Sequence, residues 1–88
     1  MHTYIFYSGK VQGIGFRYTV QSIAHDLGLV GWVKNLPDGR VEMCIEGTQE
    51  KITRLCQEIE EHFEGYITSK EEKSLRTNEQ LNDFRIRY

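Results

Sequence analysis

Gly9-Lys10-Val11-Gln12-Gly13-Ile14-Gly15-Phe16-Arg17 joins two segments of different periodicity. Before it, Thr3 to Lys10 is rich in aromatic and β-branched residues and reads as a strand. After it, Phe16, Val20, Ile23, Ala24 and Leu27 recur at helical spacing, so Phe16 to Leu27 reads as a helix. The join is therefore the first half of a β-to-α crossover. Gly28 fits the position just past the helix end, with Leu29 able to close the accompanying hydrophobic contact.

The remaining elements follow outward. Leu29 to Lys34 reads as a second strand and Arg40 to Glu46 as a third. Asn35-Leu36-Pro37-Asp38-Gly39 between them carries turn chemistry, so the two form a hairpin. Thr48 suits the N-cap of a second helix reaching about Phe63, with Ile52, Leu55, Cys56, Ile59 and Phe63 on its apolar face. Glu50 favours the positive end of its dipole. Tyr66 to Leu75 is polar, with an exposed edge strand expected around Ile67-Thr68-Ser69. Arg76 to Asn82 reads as a loop, and Phe84 to Tyr88 as a short last strand. The order is βαββαβ plus a terminal strand. That order predicts an α+β sandwich of ferredoxin-like type: a mainly antiparallel sheet with two helices on one face.

Composition narrows the function classes. Eighty-eight residues suit one domain, 1–88, with one modest core. A formal charge of −2 gives no basic footprint for nucleic acid, and the RNP signature of RNA-binding sheets is absent. No apolar run approaches the roughly 20 residues of a membrane span, so no membrane partner is expected. Met1-His2-Thr3 does not open a secretory signal, which leads to a cytoplasmic expectation. The two cysteines, Cys44 and Cys56, are not a metal-binding pair. Cys44 alternates with Val41, Met43 and Ile45 while Cys56 lies on the helical stripe, so both are expected free, on different sides of the sheet.

The glycine loop is neither a dinucleotide fingerprint nor a P-loop. Tyr18 stands where the former needs its third glycine, and no Gly-Lys-Ser/Thr is present. A tight strand-to-helix turn explains the glycines as well as a binding loop does. Arg17 favours binding, because a helix start offers unpaired N–H groups and a guanidinium matches phosphate bidentately. Asn35 suits the start of the hairpin turn.

Two motifs together resemble the acylphosphatase family. Gly9, Val11, Gln12, Gly13, Phe16 and Arg17 resemble its first motif. Gly31, Trp32, Asn35, Gly39, Val41 and Gly47 resemble its second, and Asp83 to Tyr88 looks like a family ending. The resemblance implies metal-free, cofactor-free hydrolysis of a small-molecule acyl phosphate to a carboxylate and phosphate by a monomer. In that role Arg17 and the loop N–H groups of Val11, Gln12, Gly13, Ile14, Gly15 and Phe16 would bind the phosphoryl group, and Asn35 would orient the attacking water. If the last strand runs parallel beside the second, the Tyr88 carboxylate would end near Asn35 and pair with Arg17. The reading from another class is a non-catalytic module that binds phosphate or acyl phosphate for regulation.

Overall fold

The computed structural model describes residues 2–88. Seven elements follow in chain order: β1 (His2–Gly9), α1 (Phe16–Asp26), β2 (Val30–Asn35), β3 (Val41–Glu46), α2 (Gln49–His62), β4 (Ile67–Leu75) and β5 (Phe84–Arg87). The sheet order is β4-β1-β3-β2-β5. β3 runs antiparallel to both β1 and β2, so β1 and β2 are parallel strands split by β3. β4 is antiparallel to β1, which makes α2 the crossover of a second split unit. This is the ferredoxin-like arrangement, extended by β5 parallel to β2.

The helices form where the apolar spacing and the caps agree. Both pack on one face of the sheet, in a core holding Phe16, Val20 and Ala24 of α1 and Ile52, Leu55, Cys56 and Ile59 of α2. They meet Ile5, Tyr7, Val33, Val41, Met43 and Ile45 from the strands. Ile23 and Leu27 sit at the margin, half-buried. α1 ends in a Schellman motif: Leu29 N–H donates to Ala24 O at 3.0 Å and Gly28 N–H to His25 O at 3.1 Å. α2 begins at Thr48, whose hydroxyl accepts from Lys51 N–H at 3.2 Å. The buried Tyr7 hydroxyl donates to Glu60 at 2.8 Å, and Lys70 reaches the same carboxylate at 3.1 Å. Burial pushes the Tyr7 phenol well above its ordinary range.

Several element ends lie one residue from the sequence reading, β1 running His2–Gly9 instead of Thr3–Lys10 and β3 starting at Val41 instead of Arg40, and two differences matter most. β2 starts at Val30 and includes Asn35, which pairs with Val41 and so closes a strand rather than opening the turn. β4 runs nine residues, Ile67 to Leu75, well past the expected Ile67–Ser69. Backbone pairing along β1 from His2↔Leu75 to Gly9↔Ile67 holds it. Its side chains are nearly all exposed, so no apolar alternation marks it, and its charges suit an edge strand.

The helix-free face is not bare. Trp32 and Cys44 are buried there, outside the main core. Trp32 meets Tyr4 edge-on, and its indole N–H donates to Glu79 of the 76–83 segment at 2.9 Å. Arg87 also binds the Glu79 carboxylate while its guanidinium lies over the Trp32 ring. Arg87 and Trp32 together hold that carboxyl below the usual range. This strap occupies the aromatic face that an RNA-binding sheet would leave open. The thiols of Cys44 and Cys56 are free, and burial raises both above the ordinary thiol range.

Candidate active site

The β1–α1 loop wraps the end of the sheet where β2 finishes. Val11 is fully buried and Phe16 nearly so, which pins both ends of the loop into the core. Phe16 meets Tyr7 edge-on and Phe63 at a tilt, with centroids 5.8 and 4.6 Å away. Between the anchors, Gly13 (φ 79°) and Gly15 (φ 78°) are left-handed. A Cβ at either would meet nothing within 4 Å, so glycine is required by backbone conformation, not space. Gly15 is also the N-cap of α1. It brings no side chain to cap the first turn, and that turn holds no carboxylate. The helix start is therefore left electropositive, with N–H groups free for an anion.

A side chain ties this loop to the hairpin. Gln12 Nε2 donates to Leu36 O at 2.8 Å and to Arg40 O at 3.0 Å. Those carbonyls belong to the turn that Pro37 and Gly39 form, closed by Leu36 N–H to Arg40 O at 2.8 Å. Asn35 lies immediately before that turn, so Gln12 fixes the loop relative to Asn35.

Val11, Gly13, Gly15, Phe16, Arg17, Tyr18 and Asn35 line one cavity of about 210 Å³. Drug-sized ligands occupy roughly 300–1,000 Å³, so this space suits a small anion. Arg17 and Asn35, 18 residues apart in sequence, share it because β2 and the start of α1 end side by side. Asn35 Oδ1 is buried and takes no hydrogen bond from the protein. Among the described residues, Arg17 has no acidic ion-pair partner. Its guanidinium lies 4.8 Å from the centroid of the exposed Tyr88 ring. The contact with Tyr88 is thus through the ring, not the expected carboxylate pair, although β5 does run parallel beside β2.

Of the residues singled out in sequence, Arg17, Asn35, Val11, Gly13, Gly15 and Phe16 come together around the cavity. Gln12 and Ile14 do not line it: the Gln12 amide is committed to the hairpin, and the Ile14 side chain is exposed. Sequence reasoning missed Tyr18. It follows Arg17 on the exposed side of α1, a position that hydrophobic periodicity leaves unmarked.

These features define a small-anion pocket: an electropositive helix start and an arginine face a carbonyl with hydrogen-bonding capacity to spare. The Acylphosphatase family model matches residues 3–86, and the chain belongs to the acylphosphatase family. It is 56% identical to an acylphosphatase of Acaryochloris marina over 50 residues, which span 57% of this chain and 54% of that one. A Trichormus variabilis acylphosphatase is 49% identical over 59 residues, 64% of this chain and 58% of its own. The matched stretches thus span just over half the length of these curated relatives. The crystal structure of a Bacillus subtilis acylphosphatase superposes with a TM-score of 0.85 at 36% identity and full coverage of both chains.

Proposed function

We propose that this chain is an acylphosphatase, acting as one domain over residues 1–88. The observation that carries the proposal is the single cavity where Arg17, the uncapped start of α1 and the uncommitted Asn35 carbonyl converge. The N–H groups of the Val11–Phe16 loop and the Arg17 fork bind the phosphoryl oxygens and balance their charge. Asn35 Oδ1 accepts a hydrogen bond from a water, its terminal amide torsion being soft enough to turn toward it. The water oxygen attacks phosphorus in line, and the bond from phosphorus to the acyl oxygen breaks. The carboxylate leaves with the electron pair, and the water's proton passes to the phosphate. Because a carboxylate is already a good leaving group, positioning and charge balance suffice, and no metal or cofactor is needed.

Two further points belong to this reading. Two buried free thiols suit a reducing compartment such as the cytoplasm. The charged β4 edge, with Lys70, Glu71, Glu72 and Lys73 along it, disfavours strand-to-strand pairing and suits a monomer.

Arg17→Ala and Asn35→Ala test the division of labour. Arg17→Ala should lose inorganic phosphate binding and turnover together. Asn35→Ala should lower kcat by roughly 10²–10³-fold while phosphate still binds. A regulatory binding module would share that phosphate binding but show no turnover in the parent chain.

A further inference from the structure

The phosphate-sized cavity has a neighbour. Tyr18 borders it on one side, and on the other borders an open depression of about 570 Å³. Thr19, Ser22 and Ile23 of α1 and Glu58, Glu61 and His62 of α2 complete that depression. Hydrolysis of the phosphoryl group itself uses none of these six residues. We propose that the depression seats the acyl group of the substrate, with Tyr18 as the ridge it crosses and Glu58 and Glu61 as a wall that disfavours acyl groups carrying a second negative charge. The proposal rests on the acylphosphatase reading and deepens it by naming the substrate class: acyl phosphates whose acyl part is uncharged.

Three observations lead there. Buried Val11 and Phe16 close the inner cavity toward the core, so a phosphoryl group held there must send its acyl end outward. Tyr18, 62% exposed and next in sequence to Arg17, is the surface shared by the two spaces. The outer space combines an aromatic ring and the half-buried Ile23 with the hydroxyls of Thr19 and Ser22, a lining that accepts an uncharged organic group. Its carboxylates are Glu58 and Glu61, and the His62 ring packs edge-on against Phe63. Glu58 is met by Arg54 at 3.5 Å on the exposed helix surface, and no ion pair to Glu61 is present among the described residues. The two spaces thus differ in sign: positive where phosphate binds, negative where the acyl group lies.

A matched pair of substrates tests this: benzoyl phosphate and 4-carboxybenzoyl phosphate, which differ by one carboxylate. The parent chain should favour benzoyl phosphate in kcat/KM. Glu58→Gln combined with Glu61→Gln should raise the ratio of 4-carboxybenzoyl to benzoyl phosphate by roughly three- to tenfold, and added salt should shrink that gain. Tyr18→Ala should raise KM for benzoyl phosphate about fivefold more than it raises the inhibition constant of inorganic phosphate, which has no acyl group to cross the ridge. A ratio unmoved by the double substitution overturns the acidic wall. Equal shifts in both constants on Tyr18→Ala overturn the seating. If the parent chain hydrolyses neither compound, the acylphosphatase reading fails first, and this inference fails with it.

Discussion

Replacing Gln12 with alanine cuts the two hydrogen bonds, at 2.8 and 3.0 Å, that tie the glycine loop to the hairpin turn. Each exposed bond contributes about 0.5–1 kcal/mol net, and the freed side chain recovers some of the entropy spent in ordering it. The net loss of stability is about 1 kcal/mol, which in a chain of this size lowers Tm by about 4–8 °C. The kinetic effect should be larger than the thermal one. In the proposed mechanism the loop supplies the anion-binding N–H groups and the hairpin supplies Asn35, so loosening the tie would misalign water against phosphorus. A misplacement of about 1 Å costs up to roughly 10²-fold in rate. Thermal melts, steady-state turnover of benzoyl phosphate and inhibition by inorganic phosphate are the three readings required. The expected pattern is a modest fall in Tm, a marked fall in kcat and a much smaller change in phosphate inhibition. Phosphate affinity falling as far as kcat would refute the reasoning, because it would put the Gln12 amide on the phosphoryl group instead of on the hairpin. Tm and kcat both unchanged would refute it from the other side.

Gly15→Ala forces a Cβ residue into the left-handed region at the N-cap of α1. It should cost roughly 1–2 kcal/mol in chemical denaturation and weaken phosphate binding, whereas normal stability would mean that the loop relaxes freely. The depressed Glu79 carboxyl makes the strap over Trp32 sensitive to acid. Its folded value lies below the ordinary 4.5, so its contribution is complete above that pH and is lost as pH falls through the folded value. Trp32 fluorescence should therefore change at a pH below 4.5, and Glu79→Gln should abolish that step; an identical titration in the variant would contradict the assignment.

Much of the fold is readable because local and tertiary signals coincide. Gly28 and Thr48 cap helices by chemistry within a few residues of themselves, and the stripes of both helices face the core that their spacing implies. β4 was legible only in its first residues. Its order comes from backbone pairing with β1, and a strand with wet side chains leaves no period in the sequence. At the site, Arg17 and the glycines stood out by charge, position and backbone freedom, whereas Asn35 read locally as a turn residue and was singled out through the family resemblance. The Gln12 tie, the Tyr18 ridge and the Tyr88 ring over Arg17 were not. Each depends on a partner from a distant element or on a neighbouring cavity, and local sequence does not encode that.

The central claim is that Arg17, the loop N–H groups and Asn35 hydrolyse acyl phosphates without a metal. Incubating the pure protein with benzoyl phosphate in the presence of a strong chelator tests it most directly. The account predicts hydrolysis well above the buffer rate, unchanged by the chelator and inhibited by inorganic phosphate. Hydrolysis no faster than in buffer alone, or activity that the chelator removes, would contradict it.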